Sequence, residues 1–244
     1  MAKTAAILII GNEVLTGKVE EANVAYIAKE LFALGIELRR VIVCPDVVET
    51  IAEDVNALRA SHDVVFTTGG VGPTHDDVTV EGIALGFGVP VVASEEMRAL
   101  LRGHYRERAT AGHLRMADIP QGAELIHSAE IAWPTVAMHN VIILPGVPEL
   151  VKLKFPVLRP RLATGTSFSN ETVYTLCDEG EIAALLHEIV ARHPNVTVGS
   201  YVKWRSSDYT TKVTFDALSK DEAERAANDL RSALAPEKLV DVRE

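Results

Sequence analysis

Cysteine is scarce in this chain: its 244 residues include two, Cys44 and Cys177. So distant a pair forms no metal-ligand cluster, and with no secretory signs no disulfide is expected between them. Long hydrophobic runs are also missing. The opening run, Ala5 to Ile10, is too short to span a bilayer and ends in Gly11-Asn12-Glu13, not in a cleavage site. It reads as a buried first strand, and the expectation is a soluble, cytoplasmic protein with no membrane partner. Positive charge is in deficit, 24 Lys plus Arg against 34 Asp plus Glu, for a formal net charge of -10. That balance excludes a general nucleic-acid binder, which needs a basic stripe. A local anion site stays open, because backbone N–H groups or a bound metal can supply positive potential. No internal repeat or low-complexity segment occurs, no serine lies in a G-x-S-x-G context, and the histidines show no metal-ligand spacing.

What is present is an alternation of apolar strands and amphipathic helices. The 48% apolar content excludes a disordered chain. Ala5 to Ile10 precedes a helix near Asn23 to Leu34, with Val24, Ile27, Ala28, Leu31 and Leu34 on one face. Glu37 to Val43 is the next strand, and Thr50 with Glu53 has capping-box spacing for a helix through Leu58. Asp63 to Thr68, a crossover helix from Thr79, and a helix capped by Ser94 follow. Trp133 to Val136 reads as an edge piece because of its proline, and Asn140 to Leu144 as a buried strand. Pro148 suits the first turn of a helix through Leu153. This is an α/β pattern: a three-layer, mostly parallel sheet with helices on both faces.

After about Thr166 the rhythm changes to β-α-β-β-α-β. The strands are expected at Thr172–Cys177, Asn195–Tyr201, Tyr209–Phe215 and Leu239–Val242, the middle pair joined by a polar stretch with Ser206, Ser207 and Asp208. Asp178 with Glu181, and Ser219 with Glu222, read as helix caps. The order predicts a small α+β domain of split βαβ type at 166–244, following an α/β domain at 1–165.

The densest chemistry lies in Thr67 to Thr79. Gly69, Gly70 and Gly72 follow a buried strand directly and allow close backbone approach to a ligand, with Thr74 and Thr79 as added hydroxyl donors. Strand ends of this kind hold phosphate groups in open α/β sheets. Asp76 and Asp77 would repel a phosphate unless a divalent cation lies between, and oxygen-rich sites favour Mg²⁺, Mn²⁺ or a similar ion such as Co²⁺. Gly11, Asn12 and Glu13 follow the first strand and Asp46 the second, so four acids would rim the glycine turn if the strands are parallel neighbours. Gly146 and Pro148 repeat the strand–turn–helix arrangement, and Asn23 borders the first loop. Plainer readings stand beside these: a glycine-rich turn, a helix cap at Asp76 or Asp77, and solvated surface for each acid alone.

The strings Gly11-Asn12-Glu13, Gly69-Gly70-Val71-Gly72-Pro73-Thr74, Asp76-Asp77-Val78-Thr79 and Pro145-Gly146-Val147-Pro148 resemble the molybdopterin-binding domain of the CinA, MogA and MoaB superfamily. The likeness covers roughly residues 4 to 158. Trp133-Pro134 and Val198-Gly199-Ser200-Tyr201 extend it to stand-alone CinA-like proteins and to the N-terminal hydrolase-like domain of eukaryotic FAD synthase. Glu21-Ala22-Asn23 stands where that family has Asp-Thr-Asn, and Ala132 to Val136 replaces a Gly-Thr-Ala-Pro-Gly segment. The resemblance implies a metal-dependent pyrophosphatase of a dinucleotide such as FAD or ADP-ribose. Asp76, Asp77, Glu13 and Asp46 would hold the cation, with Asp77, Asp76 and Asp46 catalytic. Gly11, Asn12, Asn23, Gly69, Gly70, Gly72, Thr74, Thr79, Gly146 and Pro148 would line the substrate. It also implies a homo-oligomer and a small-molecule partner, a nucleotide or a pterin phosphate. Two other functions are carried alongside: molybdopterin binding with adenylyl transfer, and a non-catalytic nucleotide-binding regulator.

Overall fold

A computed structural model describes residues 2–204 and 208–242, so Ser206 and Ser207 lie outside the described residues. The chain forms two compact units that divide between Thr164 and Gly165.

In the first unit, β1 (Lys3–Ile10), a short helix α1 (Asn12–Leu15), α2 (Asn23–Ala33), β2 (Ile36–Cys44), α3 (Val48–Ser61), β3 (Val64–Thr68) and α4 (Thr79–Phe87) come first. An insert follows: β4 (Val91–Ala93), α5 (Glu95–Tyr105), α6 (Ala111–Arg115) and β5 (Asp118–Pro120). The unit closes with β6 (Glu124–Ile126), β7 (Thr135–Met138), β8 (Val141–Leu144) and α7 (Pro148–Leu162). The main sheet has the order β2-β1-β3-β8-β7-β6. Its first four strands are parallel, and β7 and β6 add on antiparallel.

Side chains of β1 alternate between two cores, which is why it reads as an unbroken apolar run. Ala5, Ile7 and Ile9 pack with Phe66, Ile27 and Leu31 of α2, and Val151, Phe155 and Leu158 of α7. Ala6, Leu8 and Ile10 pack with Val65, Ile51, Val55 and Leu58 of α3, and Ile83 of α4. The Phe66 and Phe155 rings lie 5.6 Å apart at the centre of the first core.

Several expectations need correction. Thr50 and Glu53 form no capping box: a turn closed by the Val47 amide on Pro45 O (2.8 Å) starts α3 at Val48, which leaves Thr50 inside the helix. Trp133 and Pro134 are not an edge. Pro134 precedes β7, where its missing N–H costs no ladder bond, and β6 is the outer strand. Helix α7 runs on to Leu162 through Pro156 and Pro160. Pro156 frees the Lys152 carbonyl, and the Tyr26 hydroxyl stands 3.5 Å from it. The stretch from Ala111 to His127, which shows no regular apolar periodicity, supplies α6, β5 and β6, and β5 pairs antiparallel with β4.

The second unit comprises β9 (Ser169–Thr175), α8 (Glu179–Arg192), β10 (Thr197–Val202), β11 (Thr211–Ala217), α9 (Lys220–Ala233) and β12 (Leu239–Val240). The antiparallel order β10-β11-β9-β12 is that of a split βαβ unit. Asp178 and Glu181 form a complete capping box, and Ser219 accepts the Glu222 amide. Ile182, Ile189, Ala223, Ala226, Ala227 and Leu230 cover the sheet from one side, with Val213 and Phe215 beneath. Strand β9 ends two residues short of the expected Cys177. Cys177 is instead a buried free thiol, as is Cys44. Among the described residues no helix is long and apolar enough to cross a membrane.

Phe66→Ala is expected to cost about 3–5 kcal/mol, because a large buried ring leaves a cavity that the sheet cannot collapse around. Urea unfolding followed by circular dichroism measures it, and a loss below about 1 kcal/mol would contradict this packing.

Candidate functional site

The register of the parallel strands sets the site. Ile10 is level with Cys44, Ile9 with Thr68, and Thr68 with Leu144, so four post-strand turns reach one sheet edge. The chain leaves β1 toward β2 on one side and β3 lies on the other, a topological switch point where open α/β sheets bind ligands. Gly69 turns there with φ +99°, and a Cβ on it would collide with the Ile10 carbonyl oxygen. Gly146 is also tightly placed, though less so, its notional Cβ 3.3 Å from Gly69 Cα. These glycines let the two turns approach each other and leave backbone open to a ligand.

The loop after Gly72 is organised by its own acids. The Asp77 carboxylate accepts the Thr74 amide (2.8 Å) and the Thr74 hydroxyl (2.6 Å). That hydroxyl also stands 2.6 Å from Asp76 Oδ1, so one proton is shared between two carboxylates. The Thr74 hydroxyl bond, then Asp76's own amide and His75, hold the Asp76 carboxyl below the usual carboxylate range. Arg115, from α6, clamps the loop by donating to Thr74 O (2.7 Å), Asp77 O (2.8 Å) and Glu81 Oε1 (2.9 Å).

A cavity of about 840 Å³ opens at this edge, within the range of nucleotide-sized ligand sites. Of the residues expected from sequence, Glu13, Gly69, Gly70, Gly72, Asp77, Gly146 and Pro148 line it. The others do not. Asp46 instead accepts the Asn12 amide at 2.8 Å, and the Gly11 amide donates to Cys44 O, so these residues shape the first turn. Thr79 is fully buried, its hydroxyl committed to Gly69 O at 2.8 Å, which corrects its expected role as a ligand donor. Thr74's hydroxyl is likewise committed to the two aspartates. Asn23 is buried and its side-chain amide donates to Gly146 O at 2.9 Å, holding that turn, while its Oδ1 has no partner among the described residues. Glu21 accepts the Asn23 and Val24 amides and so caps α2.

Sequence reasoning missed the far wall. The insert and its neighbours supply Met97, Leu101, Tyr105, Trp133 and Val136, an apolar surface opposite the glycine turns, with Asp118 and Arg115 at its margin. Lys154 was also missed. It falls on the apolar stripe of α7, three residues after Val151, and is 6% exposed. Its ammonium donates to Trp133 O (2.8 Å) and Pro134 O (2.9 Å), with Thr135 Oγ1 at 3.4 Å. Burial pushes its pKa down to about 8. A lysine on an apolar helical stripe was the available sequence signal.

The acids do not assemble a closed cation cage: no cluster of three acidic, histidine or cysteine side chains forms among the described residues. Glu13 and Asp77 both line the cavity, and carboxylates are the donor type that Mg²⁺ takes, one or two at a time, beside water and phosphate oxygens.

Fold and cavity together define an α/β protein with a ligand pocket at the carboxyl edge of a parallel sheet. The chain belongs to the family described as probable molybdopterin binding domain, which matches residues 6–164. Residues 167–243 match the middle domain of FAD synthase. A probable FAD synthase of Caenorhabditis elegans is 32% identical across 96% of this chain, which spans only half of that relative's length. A protein of Archaeoglobus fulgidus is 32% identical over 93% of this chain and 96% of its own. A CinA-like protein of Myxococcus xanthus is 30% identical over 90% of this chain and 56% of its own. The crystal structure of CinA from Thermoplasma acidophilum, 32% identical, superposes with a TM-score of 0.60 over 66% of this chain and 98% of that one.

Lys154 makes stability depend on pH in a defined direction. Below pH 8 both folded and unfolded chains carry the proton, and the cost of burying the ammonium is fully present. From about pH 8 to 10.5 the unfolded chain holds the proton that the folded chain has lost, so stability rises with pH. Between pH 7 and 10 the unfolding free energy of the parent should gain about 1–3 kcal/mol relative to Lys154→Met. Paired urea titrations read this, and a difference independent of pH would contradict it.

Proposed function

We propose that the chain is a metal-dependent pyrophosphatase that hydrolyses a dinucleotide such as FAD, to FMN and AMP, or ADP-ribose, to ribose phosphate and AMP. The observation that carries this reading is the make-up of one cavity. Its glycine turns and two carboxylates share the sheet edge with an opposing apolar and aromatic wall. A diphosphate diester with a ring system has those two needs. Backbone amides near Gly69–Gly72 and at the start of α7 suit phosphate oxygens, and Tyr105 and Trp133 suit a planar ring. The match of residues 167–243 to the FAD synthase middle domain, and the likeness of 96% of this chain to a probable FAD synthase, support a flavin or adenine dinucleotide over a pterin.

In this reading Glu13 and Asp77 hold the cation, which when bound screens the diphosphate and polarises its P–O bonds. Asp77 stays in place because Thr74 and Arg115 fix its loop, so its carboxylate would hold the cation with little reorganisation. Asp76, off the cavity wall, acts through the shared Thr74 hydroxyl. Asn23 and Thr79 act by holding the Gly146 and Gly69 turns.

Release of AMP from FAD or ADP-ribose with Mg²⁺, Mn²⁺ or Co²⁺, abolished by chelator, is the expected result in a phosphorus-detected assay. Asp77→Asn should lower turnover at least about 100-fold and Asp76→Asn by about tenfold or less. Turnover of ATP with a pterin phosphate in place of dinucleotide hydrolysis would favour adenylyl transfer. Full activity of the Asp77 variant would remove that residue from the mechanism.

A further inference from the structure

The cavity holds two cationic side chains in very different situations. Arg115 is neutralised by Glu81 and otherwise spent on loop carbonyls. Among the described residues Lys154 meets two carbonyls and a hydroxyl and no carboxylate. A buried ammonium without a counter-charge is costly, and an anion reaching it offsets that cost. Strand order fixes the side from which it acts. Glu13 follows β1 and Asp77 follows β3, whereas the ammonium sits at the start of β7, across the end of β8. Anything lying over the ends of β3 and β8 is therefore flanked by the acids on one side and by Lys154 on the other. The longest of the three ammonium contacts, 3.4 Å to Thr135 Oγ1, is the one a better acceptor displaces.

We infer that Lys154 is an anion receptor in the cavity, its ammonium turning from the Thr135 hydroxyl to an oxygen of a bound phosphate diester and so coupling ligand binding to proton uptake. The inference rests on the phosphate reading of the cavity but not on hydrolysis. The neighbouring charges leave Lys154 to this role. The Trp133–Thr135 segment carries no titratable group, Glu124 on β6 is paired with Arg161 of α7 at 2.7 Å, and Glu96 of α5 with His127 at 3.3 Å. Glu149, Lys152 and Arg159 share α7, and Arg159 is paired with Glu30. Across the cavity stand Glu13, Asp77, Asp118, His104 and Tyr105. Burial alone lowers the ammonium's proton affinity, so a bound anion raises it again.

The test is calorimetric binding of a non-hydrolysable α,β-methylene analogue of ADP-ribose with Mg²⁺, whose phosphonates carry no proton that titrates near pH 8.5. Repeating it in buffers of different ionisation enthalpy counts the protons exchanged. The parent should take up a sizeable fraction of a proton at pH 8.5 and almost none at pH 6.5. Lys154→Met should bind at least tenfold more weakly with that uptake gone, and Lys154→Arg should recover affinity without uptake. Adenosine, lacking the charge, should bind with no uptake in any variant. The proposal is overturned if the parent takes up no proton, if Lys154→Met keeps the parent's uptake, or if the analogue does not bind. Binding with uptake but no turnover of ADP-ribose itself would sustain the receptor and remove the hydrolase reading.

Discussion

The parallel alignment of β2, β1, β3 and β8 is the constraint on which the rest of the molecule depends. Because Ile10, Cys44, Thr68 and Leu144 finish level with their neighbours, four turns far apart in the chain reach one sheet edge, and those after β1, β3 and β8 line the crevice. The alignment is held by burial on both faces. A slip of one residue along β1 would exchange the sets Ala5, Ile7, Ile9 and Ala6, Leu8, Ile10 between two differently shaped cores. Gly69 then closes the contact between turns, since its lack of a Cβ is what lets it lie against the Ile10 carbonyl.

Around that crevice the chain spends its polar groups in two ways. One set builds the scaffold: Asp46 on the Asn12 amide, Thr79 on Gly69 O, Asn23 on Gly146 O, and Arg115 across the Thr74–Asp77 loop. The other set, which includes Glu13, Asp77, Asp118 and Lys154, reaches the cavity wall, as Arg115 also does. The scaffold set makes the wall set rigid, which is what an electrostatic site requires if it is to act without reorganising. The insert that carries α5, α6 and β5 adds an apolar wall with its own small core of Met97, Leu101, Ala117 and Ile119.

Much of this was legible in order along the chain. Continuous apolar runs marked the parallel strands, the Asp178 and Ser219 caps marked helix starts, and the change of rhythm after Thr166 marked a different sheet. The glycine turns and Asp77 were legible because residue types with few other uses stood directly after strands. Less legible were elements whose local signal conflicts with their tertiary setting. Pro156 and Pro160 argue against helix, yet α7 persists because its face with Val151, Phe155 and Leu158 is buried. Pro134 suggested an edge, yet it stands just outside a strand that has neighbours on both sides.

By itself the sequence determined the α/β alternation, the split βαβ pattern of the second unit and the position of the glycine turns. Those follow from periodicity and backbone freedom, which are properties of a few adjacent residues. Only the tertiary structure decided which polar groups are spent and which are left for a ligand. Thr79 and Asp46 read as site residues until their oxygens are found engaged elsewhere, and Lys154, which drew no reading in sequence, is turned inward by its helix onto the Trp133 and Pro134 carbonyls. Hydrogen-bond satisfaction and burial are settled between separate elements of the fold, 10 to 34 residues apart in these three cases, and no local pattern records them.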